Sequence, residues 1–327
     1  MYEKLDIKKD IDNFWKKFEH LTKEKILLAP FYNRQFYEFQ KEYCKSKSTL
    51  IDEKSIIISD NKEPVCAFIF LINNDGETYE CNFGSDYPGL IIFKERINQK
   101  ILNLFLEELK MIKSNFKNIR FTIPEDKIHK EYEEIIKNNH FRHNMIWSRS
   151  IYTNQSRDIL WKNIRKSYKS PINKGLREQE FFLLDFNNPD IRLFRKIQAL
   201  HFEVSGRKTR SQRTWDLQYE AIKKDKAFAF CAYQKDILIS AVYFIKTKKH
   251  AYYSVGIYTN ESKRRLYGYS LIWKSIIYCQ DRKINFLELD YNVNFKFIPD
   301  NEEKLIKISH FKSGFGGAIY PRHEFII

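Results

Sequence analysis

The same order of strands and helices occurs twice in this chain of 327 residues, and that repetition constrains the fold more than any single motif. In the first half, Ser55–Ser59 reads as a strand, Asp60–Lys62 as a turn and Pro64–Ile72 as a second strand. Asn73–Gly76 is a hairpin signal, with Glu77–Phe83 as the returning strand. An amphipathic helix follows over Asn98–Ser114, then a buried strand over Ile119–Ile123, a helix over Lys130–Asn138 and a strand over Met145–Tyr152. The second half runs the same way. Strands are expected at Ala227–Tyr233, Ile237–Ile245 and Ala251–Tyr258, a helix over Tyr269–Cys279, and a buried strand over Ile284–Asp290. Cys66-Ala67 aligns with Ser240-Ala241, and the strand end at Gly84 with Gly256. The reading set against duplication is two unrelated α+β domains.

Ahead of the first unit, two helices between Asp10 and Cys44 carry aromatic stripes. Trp15, Phe18 and Leu21 form one, and Phe36, Phe39 and Tyr43 the other. Between the halves, Arg157–Lys169 reads as one helix with an apolar stripe (Leu160, Trp161, Ile164) and a basic face, ended by Pro171. Domain limits are therefore expected at residues 1–155 and 156–327.

Composition narrows the class. Apolar residues make up 43% and aromatics 16%, enough for two sizeable cores. No apolar run approaches the ~20 residues that span a bilayer. The segment Met1–Asp6 has no apolar signal core, so a cytoplasmic location is expected. Five cysteines without a C-x-x-C pair argue for reduced thiols rather than zinc or disulfides. His129, His140 and His143 lack the H-E-x-x-H spacing of a metal site. A net charge of +15 favours an anionic partner, although the basic residues are spread along the chain rather than gathered in one tract.

One stretch near the C-terminus stands out chemically. Ser309-His-Phe-Lys-Ser-Gly-Phe-Gly-Gly317 sets a lysine beside aromatics and follows it with glycines. Such a loop admits close backbone approach, and a lysine against aromatic faces is partly desolvated, which strengthens its field. The plain alternative is a turn with a solvated lysine. Phe311-Lys312-x-x-Phe315-Gly316-Gly317 resembles the closing motif of the FemABX aminoacyltransferases and of the BioF2-like acyltransferases, which are built from tandem acyltransferase domains of the GNAT type. The resemblance implies that Lys312 stabilises the oxyanion of a tetrahedral intermediate and that Phe311 shapes its pocket. The Arg157–Lys169 helix, with its Trp161 and basic series, also resembles the one that opens the second domain in that family. The absence of a long heptad hairpin after it matches the compact members.

Four further constellations carry chemistry. His201–Ser211 exposes Arg207, Lys208 and Arg210 on a loop after the Gly206 break, with Trp215 following. Guanidinium groups grip phosphate or carboxylate bidentately. The resemblance implies an arginine here on the anionic part of the acceptor, and both Arg207 and Arg210 fit. Tyr253, within Tyr252–Gly256, falls where the resemblance to GNAT-type folds implies that two parallel strands part. A tyrosine there can hand a proton to a leaving group or orient an amine; the plain alternative is a packing residue. Arg265-x-x-Gly268-x-Ser270 before a helix resembles the GNAT loop that holds a pyrophosphate. Asp290, at the end of a buried strand, is the candidate general base, the other reading being a carboxylate that pairs with the Lys312 loop.

The expected fold is α/β: two tandem GNAT-like domains related by internal duplication, each a mixed sheet flanked by helices. The expected activity is acyl or aminoacyl transfer to an amino group, forming an amide on a nucleotide-linked amino sugar or peptidoglycan precursor. No cofactor is tightly bound; the co-substrate is acyl-CoA or aminoacyl-tRNA. The other function class is a non-catalytic RNA- or nucleotide-binding module.

Overall fold

The structure is a computed structural model. It describes residues 2–24, 30, 33–45, 50–69, 71–74, 79–81, 90–92, 99–115, 120–123, 142–291 and 303–326. The chain divides into two compact units, Met1–Ile146 with Pro321–Ile327, and Trp147–Tyr320.

In the first unit, strands β1 (Tyr2–Asp6), β3 (Ile56–Asp60), β4 (Glu63–Phe68) and β7 (Leu90–Ile92) form a sheet in that order. A second small sheet joins β2 (Leu50–Glu53), β5 (Leu71–Asn74) and β6 (Tyr79–Cys81). The single strand expected over Pro64–Ile72 is therefore two, because β4 hydrogen-bonds β3 and β7 while β5 bonds β2 and β6. A continuous apolar run carries no signal for that change of partner. Helices α1 (Ile11–Glu24) and α2 (Arg34–Lys45) meet where the rings of Trp15 and Tyr37 lie 5.0 Å apart. Trp15 belongs to the expected stripe of α1, whereas the fully buried Tyr37 lies outside that of α2. Helix α3 (Gln99–Asn115), strand β8 (Arg120–Ile123) and the start of β9 (Arg142–Tyr152) follow the expected order. The helix expected at Lys130–Asn138 and the strand end at Gly84 lie outside the described residues, as does Asp75-Gly76 of the hairpin signal.

The second unit carries the motifs. Its sheet has the order β10 (Glu180–Leu184), β11 (Ala227–Gln234), β12 (Ile237–Lys246), β13 (His250–Tyr258), β14 (Phe286–Tyr291), β9, and β15 (Ala318–Ile326). The pairings from β10 to β13 are antiparallel, and β13–β14 is parallel. Strand β14 then pairs antiparallel with β9, which is why residues from Trp147 onward belong to this unit rather than to the first. Val242, Phe244, Ala251, Leu287 and Leu289 send alternate side chains to one face, where Leu271, Ile272 and Ile276 of helix α9 (Gly268–Asp281) cover them. The other face meets helices α6 (Ile191–Ser205) and α7 (Gln212–Lys223), where the Tyr243 hydroxyl donates to the Gln218 carbonyl at 3.1 Å.

The helix expected over Arg157–Lys169 is two helices, α4 (Arg157–Asn163) and α5 (Lys166–Glu178). The chain turns extended at Ile164 and Arg165, and Pro171 lies inside α5 instead of ending it. The break follows from packing. Leu160, Ile164, Tyr168 and Ile172 are all buried, and Arg165 N–H donates to the Gly314 carbonyl at 2.9 Å. A straight helix would forgo that bond. The C-terminal stretch is likewise not a loop throughout. Ser309 to Ser313 complete helix α10 (Glu303–Ser313), and only Gly314–Gly317 are irregular before β15.

Candidate functional site

The parallel ladder of β13 and β14 pairs His250 with Phe286, Ala251 with Leu287 and Tyr252 with Glu288, and stops there. Both strands continue, so Tyr253 is the first β13 residue past the end of that ladder. Strand β13 also carries a bulge. Tyr243 faces Val255 but Phe244 faces Tyr253, leaving Ser254 unmatched. The extra residue breaks the alternation and puts Tyr253, Gly256 and Tyr258 on one face. Gly256 is required there, because an added Cβ would overlap the Tyr253 hydroxyl. Tyr253 and Tyr258 share a hydrogen bond of 2.9 Å. Burial, and then the neighbouring Tyr253, push the Tyr258 phenol well above its usual pKa, so it stays protonated.

Lys312 comes to this pair from the last turn of α10. It is only 5% exposed, and its Nζ stands 5.9 Å from the centre of the Tyr253 ring. A cation so enclosed acts in a low dielectric. Phe311 packs on Tyr269 at 5.0 Å and Phe315 at 5.2 Å, both edge-on, with Tyr258 further off. Tyr168 closes the cluster, 4.5 Å from Tyr269, and its hydroxyl donates to the His310 carbonyl at 3.0 Å. Its phenol is pushed up to about 12, chiefly by burial.

Two arginines hold the chain that leaves the lysine. Arg165 donates to Ser313 Oγ at 2.7 Å and lies 2.9 Å from His310 Nε2. Arg149 donates to the carbonyls of Gly316 and Gly317 at 3.0 and 3.2 Å. Burial, with Arg165 nearby, pulls Arg149 below its usual pKa. Gly317 has φ +78 and passes so close to the Ser150 carbonyl that a Cβ would overlap it. Arg149 and Tyr258 were not legible as site residues. Arginine on a strand looks like a surface residue, and Tyr258 reaches Tyr253 only through the bulge.

The loop residues form a separate pocket on the opposite face. A cavity of about 340 Å³ is lined by Arg195, His201, Phe202, Arg207, Lys208, Thr209, Arg210 and Trp215, among others. Arg210 stacks over Trp215 at 4.7 Å and donates to Gln218 Oε1 at 3.3 Å. Thr209 Oγ1 is buried with no hydrogen-bond partner among the described residues. His201 lies edge-on to Trp215 at 5.1 Å, and burial plus the Arg210 charge lower it to about 4, so it is neutral near pH 7. Both arginines singled out in the sequence thus meet in one cationic pocket with Trp215.

The Arg265–Ser270 turn joins helix α8 (Asn260–Arg265) to α9, and its side chains are engaged within the protein. Arg265 pairs with Glu261; Ser270 Oγ bonds Gln179 Oε1 and the Tyr267 carbonyl, each at 2.7 Å. Gly268 makes room for the Tyr258 ring. Asp290 is on β14 beyond the end of the parallel ladder, and its side chain lies outside the described ones. The carboxylate that is described there is Glu288, 2% exposed, which accepts from Ser148 Oγ and stands 3.0 Å from His250 Nε2. It ties β9, β13 and β14 together at the root of the parting. Among the described residues no group of His, Cys, Asp or Glu could hold a metal ion, and no helix is long and apolar enough to cross a membrane.

No family model and no curated protein matches the sequence. Solved structures do match in fold. A crystal structure of FemX superposes with a TM-score of 0.69 at 14% identity, covering 99% of this chain and 96% of that one. The C-terminal domain of a putative lysylphosphatidylglycerol synthetase from Agrobacterium fabrum gives 0.58 at 9% identity, covering 89% and 92%. A tandem GNAT protein from the clavulanic acid biosynthesis pathway gives 0.55 at 11% identity, covering 100% and 98%. The fold is therefore α/β with GNAT-like domains in tandem.

Proposed function

We propose that this chain is an acyltransferase that forms an amide on an amino group of a cell-envelope precursor. The observation that carries the proposal is the nearly dry ammonium of Lys312 held over Tyr253, the first β13 residue past the end of the parallel ladder. The fold likeness to FemX and to a tandem GNAT protein supports the same reading.

In this scheme the amine attacks the carbonyl of an ester or thioester donor. The new N–C bond places negative charge on the carbonyl oxygen, and Lys312 stabilises it; a fixed cation in a dry site needs no reorganisation at that moment. Collapse breaks the C–O or C–S bond, and Tyr253 gives the leaving atom its proton. Tyr258, which stays protonated, donates its hydrogen bond to the phenolate so formed. Asp290 takes the proton released by the amine, and that proton returns to Tyr253 before the next turnover. Phe311 and its ring neighbours exclude water.

The cationic pocket of Arg207, Arg210 and Trp215 binds the anionic part of the acceptor, a nucleotide-linked amino sugar or peptidoglycan precursor. The donor is aminoacyl-tRNA or acyl-CoA. Its phosphates would meet the α8–α9 turn, where Arg265 is paired with Glu261 and both Gly268 and Ser270 are buried, so the donor has to draw Arg265 away from Glu261.

The test is a panel of acetyl-CoA, CoA, charged tRNA and UDP-linked precursors, read by thermal melting and by turnover. A ligand at 100-fold its Kd adds about 2.7 kcal/mol of stability. A shift with CoA alone selects an ordinary N-acyltransferase; a shift with a UDP-linked precursor but not CoA selects aminoacyl transfer. No shift and no turnover with any of them defeats the proposal, and a shift with charged tRNA or a nucleotide-linked ligand but no turnover favours the binding module.

A further inference from the structure

The end of α6 carries side chains for which the unit's core has no use. Phe202 is 55% exposed and Val204 38%, while Phe194, Ile197 and Leu200 of the same helix are buried. Every residue from Phe202 to Lys208 is exposed. The helix stops at Gly206 in left-handed conformation (φ +66), and Arg207 and Lys208 follow at once. One corner therefore presents an aromatic ring, an aliphatic side chain and two cations, against the single anion Glu203. Phe202, Arg207 and Lys208 also line the cationic pocket, so corner and pocket share a rim.

A scattered exposed phenylalanine is ordinary. An apolar tip flanked by cations at the mouth of an anion pocket is a narrower combination. It suits a headgroup layer, where rings enter the acyl boundary while guanidinium and ammonium groups meet lipid phosphates. The overall charge of +15 draws the protein toward the same surface.

We propose that this corner docks on an anionic lipid surface, so that the pocket receives the anionic group of an acceptor presented by a bilayer. The part about the acceptor rests on the acyl-transfer reading; the lipid contact stands on the corner alone. The experiment is co-sedimentation of the full chain with vesicles of phosphatidylcholine, alone or mixed with phosphatidylglycerol. Wild-type protein is expected to partition onto the mixed vesicles and not the neutral ones. Phe202→Ser with Val204→Ser should lower that partition at least about tenfold. Phe202→Trp should keep it, which separates lost insertion from lost folding. Arg207→Gln with Lys208→Gln should cost about fivefold per charge. Absence of wild-type partition, or a serine variant that binds as wild type, overturns the proposal. Lys312→Met should bind vesicles normally: turnover without vesicle binding sinks only the lipid contact, and vesicle binding without turnover sinks only the acyl-transfer reading.

Discussion

The Lys312 centre and the Arg210 pocket lie on opposite faces of one sheet, and they are built in opposite ways. The first is dry and assembled from distant segments: Tyr168 from α5, Tyr253 and Tyr258 from β13, Phe311 and Lys312 from α10. The second is open, and its lining comes entirely from residues 195–215. A dry assembled centre suits charge that appears only in a transition state. An open cationic pocket suits charge that the ligand already carries in solution. The difference teaches that the two should answer mutation through different kinetic constants.

The largest expected effect sharpens this at once. Lys312→Met should lower kcat about 10²–10³-fold and leave acceptor affinity nearly unchanged, measured by steady-state kinetics and by ligand binding. A change confined to KM would break the comparison. Next, Gly256→Ala should match Tyr253→Phe, each losing turnover about a hundredfold, since the added methyl overlaps the hydroxyl that Tyr253→Phe removes. A double variant no worse than either single one would show that both act through that hydroxyl. On the other face, Arg210→Gln should raise KM for an anionic acceptor about tenfold with little change in kcat, and the same substitution at Arg207 tells which arginine carries more of the contact. Gly314→Ala tests the frame instead of either site. Its methyl would meet the Tyr168 ring, so chemical denaturation should show a loss of about 1–3 kcal/mol.

The last effect concerns pH. His201 is held near 4 in the folded protein against an unfolded value of 6.5. Because its folded pKa is depressed, the unfolded state binds the extra proton first. Stability should therefore fall as pH drops from about 6.5 to 4, and level off below. His201→Gln should flatten that part of the stability profile, and an unchanged slope would place the acid sensitivity elsewhere.

Much of the second unit was legible. Continuous apolar runs bounded by turn residues located β11, β12, β13 and α9 to within a residue or two, because β11 and β12 are buried on both faces and α9 around most of its circumference. The Arg207–Trp215 pocket was legible for a simpler reason: its parts are neighbours along the chain. Strand β10 was not, since its alternation is short and its inward side chains are only half-buried. The α4–α5 break was also hidden, because the bond from Arg165 to Gly314 joins segments far apart in sequence.

The residues Phe311-Lys312-x-x-Phe315-Gly316-Gly317 by themselves determined that a cation, flanking aromatics and a pliable turn would sit together, since side-chain chemistry and glycine's freedom at positive φ are local properties. Only the tertiary structure decided what the cation faces. The unmatched Ser254 shifts β13 by one residue and turns Tyr253 and Tyr258 to the same side. Arg149 and Arg165 then fix the backbone that leaves Lys312, through carbonyls and hydroxyls more than a hundred residues away. A strand's period of two is read from its own residues, but a bulge is defined by the partner strand it fails to match, and no single stretch of sequence contains both.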